Sequence, residues 1–319
     1  MLRRFAWGTL VLNLGVILWG AFVRATGSGA GCGSHWPTCN GEVVPRAASV
    51  ETMIELTHRL TSGLALIAVL VMTVLAFRRR PKGHPMRPAA VASLVFILLE
   101  AAIGAGIVLL EHVADDASVA RVYWMGAHLV NTFLLVGALG LTAWLSPEDA
   151  KRPRLAGQGT GPLAIVPLAI GAALVAILLV GVTGAVTALG DTLFPAGSLT
   201  EGIAEDFSAT AHFLVRLRIW HPIAAALSGL FIVTTAVVVA LRRPSPETKR
   251  LALFVVGLFL AQIAGGFLNL ALLAPVWMQL VHLLMADLLW LAVVLLGASA
   301  LAQPAVAPAP RAEPALTSA

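Results

Sequence analysis

Charged residues are scarce in this sequence. Asp, Glu, Lys and Arg make up 12% of its 319 residues, whereas hydrophobic residues make up 59%. The mean hydropathy is +0.90. Soluble domains contain about 25% charged residues, so the composition excludes an ordinary soluble enzyme and indicates a membrane protein.

A cleavage site is also lacking after the first apolar stretch, which follows Arg3 and Arg4 and reaches Phe22. We therefore interpret the stretch as a helix and not as a signal peptide. Runs of about 20 apolar residues can each cross a hydrocarbon core of about 30 Å. They predict an all-α polytopic membrane protein with eight transmembrane helices, at about 5–23, 53–77, 88–110, 122–145, 161–188, 218–241, 251–273 and 277–301.

Positive charge is unevenly distributed between the connections. Of the 21 Lys and Arg residues, 15 fall at the N-terminus, in segments 78–87, 146–160 and 242–250, or in the tail. This side is predicted to be cytoplasmic, which places both termini in the cytoplasm of a protein of the plasma membrane. The net charge of +5 follows from this topology and does not indicate nucleic-acid binding.

Only two cysteines are present, Cys32 and Cys39, in the outer segment GCGSHWPTCNG. A zinc site would need more ligands than these thiols and His35, the one histidine nearby. Thiols in an oxidising compartment commonly pair, so we predict a disulfide that closes a small loop. A structural and a redox-active disulfide are both compatible with the sequence.

The sequence contains an internal repeat. GAFVRATGSG corresponds to GAVTALGDTL at an offset of 164 residues, ELTHR to RIWHP at 163, GAGIVL to GGFLNL at 161, and GAHLV to QLVHL at 154. Halves of four helices insert in the same orientation, so we predict two tandem four-helix bundles with pseudo-two-fold symmetry along the membrane normal. The predicted domains are 1–150 and 151–301, followed by a Pro- and Ala-rich tail, 302–319, predicted to be disordered.

Four of the eight histidines occupy equivalent places in this repeat, each near the outer end of an even-numbered span: His58, His128, His221 and His282. One such histidine would be explained by a bond to a backbone carbonyl, but four favour a ligand set. Two histidines facing each other across a four-helix bundle can ligate haem iron from both sides. Zinc is the competing metal, but nothing places further ligands beside either pair. The other histidines fall in outer segments or a cytoplasmic connection, where local bonding is expected: His35, His84, His112 and His212.

The two halves differ next to these histidines. Glu55 precedes His58 by three residues, whereas Arg218 precedes His221 by three. An acid beside iron can relay protons, and an arginine suits haem propionates. We therefore expect chemistry in the first half and a resident haem in the second. The structural alternative for Glu55 is a salt bridge with Arg59.

Further polar residues fall inside the predicted spans. Glu100 and Asp287 are candidates for core residues, for partners of metal ligands or for steps in a proton path. The amides are interpreted as interhelical hydrogen-bonding groups: Asn131, Gln262, Asn269 and Gln279.

These residues resemble the haem A synthases of respiratory membranes from Trp19 to about Trp290. The similarity rests on GAFVRATGSGAGCGSHWPTCNG, ELTHR, GAHL, IWHP and QLVH. It implies oxidation of the methyl group of haem O to a formyl group, through an alcohol, to supply haem A for cytochrome oxidase. A haem O synthase, the farnesyltransferase that makes haem O, would be a partner. The electron-transfer partner is not specified.

The resemblance also implies roles for individual residues. His221 and His282 would ligate haem b in the second half, and His58 and His128 would flank the haem O substrate. Glu55 would be the essential acid. Cys32 and Cys39 would form the outer-loop disulfide of the cysteine-containing members. Arg24 and Thr26 match the family pattern and would bind propionates or anchor the loop, whereas His35 stands where an Asp or another polar residue is expected.

Two other functions fit parts of the pattern. A bis-histidine membrane cytochrome of the b type, passing quinol electrons without modifying its haem, explains the duplicated histidines but not the contrast between Glu55 and Arg218. A transporter with parallel repeats explains the duplication. It is disfavoured because the histidines lie near one surface and not at the midplane.

Overall fold

The computed structural model describes residues 1–46, 48–154 and 165–302. These residues form α-helices joined by short connections, with an isolated β-bridge between Cys39 and Glu42. The helices are α1 (Leu2–Ala25), α2 (Val50–Arg79), α3 (Met86–Leu109), α4 (Val119–Trp144), α5 (Ile165–Leu193), α6 (Leu199–Asp206), α7 (Phe213–Leu217), α8 (Trp220–Arg242), α9 (Pro246–Ala271) and α10 (Val276–Leu301).

Eight stretches of the described chain are long and apolar enough to cross a membrane: α1 to α5, α7 together with α8, α9, and α10. The predicted all-α architecture with eight spans is therefore confirmed. The sixth span, predicted at 218–241, already begins at Phe213 and is interrupted by a turn at Arg218 and Ile219. The predicted start of the fifth span at 161 and the tail 303–319 lie outside the described residues.

Serine side chains cap several of these helices. The hydroxyls of Ser49, Ser118 and Ser245 accept hydrogen bonds from the backbone N–H groups three residues later, at the starts of α2, α4 and α9. Each bond satisfies one of the amides that a helix leaves unpaired in its first turn. Ser198 caps α6 in the same way; no helix was predicted there.

The spans form two rings of four helices. In the first ring α1 contacts α2, α2 contacts α3, α3 contacts α4, and α4 contacts α1; in the second, α5, α8, α9 and α10 are joined in the same cyclic order. The rings meet through α1, α4, α5 and α10. Accordingly α4 and α10 bury 61% and 50% of their most apolar stretches, and the other spans bury 33% or less. The two-fold relation between the rings remains a prediction.

Small residues allow α4 and α10 to approach closely. A Cβ atom on Gly137 would lie 3.1 Å from Nε1 of Trp290, and one on Gly140 would lie 2.1 Å from Cδ1 of Leu291. The rings of Phe133 and Trp290 stack across the same contact with centroids 5.5 Å apart. Close backbone approach of this kind is typical of helices that associate in membranes.

Candidate haem-binding site

A cavity of about 1410 Å³ extends between the two rings of helices. It exceeds the roughly 300–1,000 Å³ of a pocket for one small molecule. Its wall is mostly apolar. All four histidines of the predicted ligand set contribute to it: His58, His128, His221 and His282. Both predicted pairs therefore contribute to the wall of one cavity.

Each of these imidazoles lies against a glycine of a neighbouring helix. A Cβ atom would come within 2.9 Å of the His58 ring at Gly20 of α1, and within 2.9 Å of the His221 ring at Gly184 of α5. It would come within 3.9 Å of the His128 ring at Gly104 of α3, and within 3.3 Å of the His282 ring at Gly266 of α9. Because glycine has no side chain, each imidazole ring has room to lie at the cavity wall.

His221 and His282 have the spacing that two axial ligands of one iron require. Their ring centroids are 6.3 Å apart and the rings are nearly perpendicular, at 84°. A metal–imidazole bond is about 2 Å and a ring nitrogen lies about 1 Å from the ring centre, so two imidazoles on one metal have centroids about 6 Å apart. These residues fit a porphyrin iron between them.

The neighbours of the second pair are neutral groups. Nδ1 of His221 lies 3.1 Å from the Thr183 hydroxyl, and Nε2 of His282 lies 3.2 Å from the amide nitrogen of Gln262. Within the described chain, no group of three or more His, Cys, Asp and Glu side chains is arranged to hold a metal ion.

Glu55 of α2 is buried, with 3% of its surface exposed, and it contributes to the cavity wall. Oε2 accepts a hydrogen bond of 2.8 Å from the backbone N–H of Cys32. Oε1 accepts from the Arg59 guanidinium at 2.5 Å, so the salt bridge considered from the sequence is present. Arg59 also donates to the carbonyls of His35 and Thr38 at 2.6 Å each. The carboxylate therefore joins the cavity to the outer loop.

The outer loop is closed by a disulfide between Cys32 and Cys39, with Cα atoms 4.3 Å apart, as predicted. Both cysteines are fully buried and pack with Leu56. A Cβ atom on Gly31 would lie 2.5 Å from the backbone of Glu51, so only glycine allows the loop to approach α2 this closely.

Glu100 of α3 contacts His128. The sequence did not indicate this contact. Oε1 of Glu100 lies 3.5 Å from Nδ1 of His128. Two side chains of α4 hold the carboxylate, because Asn131 and Thr132 each donate a hydrogen bond of 2.5 Å to it. A repeat comparison that aligned Glu100 with Gln262 would have indicated a partner for His128.

Arg218, predicted to face haem propionates, is already surrounded by carboxylates. Its guanidinium bonds Asp206 at 2.9 Å and Asp191 at 3.1 Å, and Nη2 lies 3.7 Å from Glu205. Nη2 is buried and makes no hydrogen bond within the described residues. A propionate would therefore have to be bound through this one nitrogen.

Arg24 joins the two rings. From α1 it donates to the carbonyl of Ala188 and the hydroxyl of Thr192 on α5, and to the amide oxygen of Gln279 on α10, each at 2.8 Å. Thr26 instead bonds back to the carbonyl of Phe22 and to Ser28. Arg24 thus anchors the second ring.

A polar rim follows α3. His112, at the cavity wall, bonds Oδ2 of Asp116 through Nδ1 at 2.8 Å. Burial alone would raise the pKa of Asp116, but hydrogen bonds from His112 and Ser118 outweigh it and hold the pKa below its ordinary value. The Asp116 carboxyl therefore stays ionised.

The remaining polar predictions have mixed outcomes. Asn131, Gln262 and Gln279 make interhelical hydrogen bonds, as predicted. Oδ1 of Asn269 and both carboxylate oxygens of Asp287 are buried and make no hydrogen bond with the described residues.

Comparison with known proteins shows which family the chain belongs to. The COX15-CtaA family, described as cytochrome oxidase assembly protein, matches residues 3–294. A protein of Thermus thermophilus named protoheme IX farnesyltransferase is 51% identical over 300 residues, covering 94% of this chain and 48% of the relative. The chain thus spans about half the length of that relative.

Proteins named heme A synthase are also similar over part of the chain. Those of Bacillus mycoides and Bacillus anthracis are each 43% identical over 111 residues, covering 34% of this chain and 36% of the relative. Since the family match extends over nearly all of the eight apolar helices of the described chain, the chain belongs to the COX15-CtaA family, the haem A synthase family, and is a multi-pass membrane protein.

Proposed function

We propose that this protein is a haem A synthase that oxidises the methyl group of haem O to a formyl group through an alcohol. The single observation that supports this best is the placement of acids at one histidine pair. Glu55 lies one turn before His58 and Glu100 lies beside His128, whereas the corresponding positions beside the second pair are Arg218 and Gln262.

The first ring would accordingly hold the substrate. His58 and His128 would flank haem O, whose porphyrin and iron, when bound, supply the electron chemistry. Each oxidation passes two electrons to an external acceptor and releases two protons near the reacting carbon, and Glu55 on the cavity wall is placed to accept these protons or to orient water. The disulfide loop and Arg59 would hold this carboxylate in place and exclude bulk water.

The second ring would hold haem b between His221 and His282. Their 6.3 Å separation supports bis-histidine ligation. This geometry alone would equally support the alternative function, a b-type cytochrome that leaves its haem unmodified. The acids of the first ring favour the synthase.

A haem O-producing farnesyltransferase is the partner we propose. The Thermus thermophilus relative bears that name, and this chain matches only 48% of its length. We infer that the farnesyltransferase activity in that name resides in the part of the relative that this chain does not match. Co-purification of this protein with a separate haem O synthase from one membrane would test the association.

Porphyrin extraction tests the function. The full-length protein is expressed in membranes that contain haem O but no other haem A synthase, and the extracted porphyrins are identified by mass spectrometry. Haem A or its alcohol precursor is expected. Recovery of unmodified haem alone, from protein that retains the absorbance of the second-ring haem, would favour the cytochrome alternative.

A further inference from the structure

Glu100 is held rigidly beside His128. Asn131 donates to its Oε2 and also to the carbonyl of Phe96, which fixes the amide between α3 and α4. Thr132 donates to Oε1, the oxygen nearest to His128. Because these donors lie one turn beyond His128 on its own helix, the carboxylate and the imidazole keep a fixed relation.

Nδ1 of His128 has no hydrogen-bond partner within the described residues, although it is buried. The 3.5 Å to Glu100 Oε1 exceeds a normal hydrogen bond of about 2.9 Å by roughly half an ångström. Such contacts often shorten when the ligand binds. Among the four histidines of the predicted ligand set, His128 is the one with a ring nitrogen within 4.0 Å of a carboxylate oxygen in the described part of the chain.

The second ring has an amide where the first has this acid. Gln262 follows Glu100 by 162 residues, the same offset that separates Gly104 from Gly266, the glycines under the two imidazoles. Gln262 lies beside Nε2 and the backbone carbonyl of His282, whereas Glu100 lies beside Nδ1 of His128. The residues at these equivalent sequence positions therefore differ in charge and in the ring nitrogen that they approach.

We propose that Glu100 is a positioning residue for His128. It accepts a hydrogen bond from Nδ1–H, which leaves Nε2 free to face the iron, and it makes that imidazole the stronger electron donor. Histidines that bind metals commonly donate their second N–H to a carboxylate in this way. The inference rests on the proposed function, because it takes His128 as a ligand of the substrate haem.

The test is an optical redox titration of the purified full-length protein loaded with haem O in the first ring and haem b in the second. The first-ring component is identified by its loss in His128→Ala. Glu100→Gln keeps the size of the side chain and removes its charge. We expect the preference of this component for the oxidised state to fall about tenfold, a rise of ~59 mV in its potential.

Two further variants complete the test. Glu100→Asp moves the carboxylate back by one methylene and is expected to give a smaller rise, which also provides the result if the Gln variant does not fold. Glu111→Gln removes an exposed charge from the connection after α3 and should leave both potentials unchanged. The second-ring component serves as the internal control for folding.

An unchanged first-ring potential in both Glu100 variants, with the second-ring component intact, would overturn the inference. Haem A production is a separate measurement. A wild-type protein that binds both haems but makes no haem A would contradict the proposed function, and a shift in potential would still support the role of Glu100.

Discussion

The Glu55 carboxylate is shared between the cavity and the outer loop. One oxygen accepts from Cys32 N–H and the other from Arg59. A carboxylate has about four lone-pair sites, so these bonds leave acceptor capacity for water or substrate. Removal of the whole side chain would not distinguish a role in proton chemistry from a role in holding the outer loop, since it would remove both.

We therefore predict the effect of Glu55→Gln, in which an amide oxygen can still accept from Cys32. Loss of the base is expected to lower the ratio of haem A to haem O in membrane extracts by about 10²- to 10⁴-fold. The absorbance of the second-ring haem should persist.

Glu51→Gln is the matched control. Glu51 lies one turn earlier on α2 and is exposed, so its replacement should not alter the haem ratio. An undiminished ratio in Glu55→Gln would remove Glu55 from the proton chemistry and leave it a structural role at the loop.

At the residue scale, the sequence predicted which residues line the site better than it predicted which residues they contact. The repeat indicated the four histidines, because equivalent places in a duplicated chain can be read from spacing. It did not indicate that Glu100 contacts His128 or that Arg218 is surrounded by Asp191, Glu205 and Asp206. Those contacts depend on how helices distant in sequence are rotated and packed.

At the scale of helices, the pairs α1–α2 and α5–α8 share one feature, a glycine under a histidine ring. Replacing Gly20 or Gly184 with Ala would place a Cβ atom 2.9 Å from the ring of His58 or His221, so each imidazole would have to move. Displacement by about 1 Å can lower catalysis about a hundredfold.

The two substitutions are predicted to separate the two sites. Gly20→Ala should lower haem A formation by about ten- to a hundredfold while the second-ring haem is retained. Gly184→Ala should instead reduce the haem b content of the purified protein, measured from its absorbance per polypeptide.

Gly15→Ala in α1 and Gly171→Ala in α5 are the matched controls, because a Cβ atom at either position meets nothing within 4 Å. Both should behave as the unmodified protein. Equal effects of Gly20→Ala and Gly184→Ala on both measurements would contradict separate sites.

Hydropathy predicted the spans because a helix must be apolar over about 20 residues to cross a bilayer. It missed α6 and the turn at Arg218 and Ile219. The eight residues of α6 include Glu201, Glu205 and Asp206, so no apolar run marks this helix. Hydropathy does not reveal the turn because apolar residues lie on both sides of it.

At the scale of the whole molecule, the charge distribution predicts orientation. With Lys and Arg concentrated in the connections 78–87, 146–160 and 242–250, a fluorescent protein fused to the C-terminus should fluoresce in the cytoplasm. An alkaline phosphatase inserted between the exposed residues Val43 and Val44 of the outer loop should be active, because this loop is predicted to lie outside the cytoplasm.

Fluorescence and phosphatase activity are measured in intact cells, and each signal is divided by the amount of that fusion in the membrane. A C-terminal fusion that does not fluoresce, together with an inactive phosphatase at Val43, would reverse the proposed topology. The same insertion placed at Lys82 provides the cytoplasmic reference, since this residue is exposed between α2 and α3.

The duplication in the sequence predicted two bundles but not a cavity common to both. Each repeat alone describes one ring and its own pair of histidines. The rings meet through α1, α4, α5 and α10, and an internal repeat contains no information on that contact.

The hydrogen bonds of Arg24 limit how the halves can be exchanged between relatives. A chimera that takes residues 1–150 from this chain and the remainder from another member must also provide a hydroxyl at Thr192 and an amide at Gln279, or it leaves a half-buried cation with fewer acceptors. The two halves are therefore expected to be inherited as a matched set, and recombination within the family should succeed only where these distant positions are transferred together.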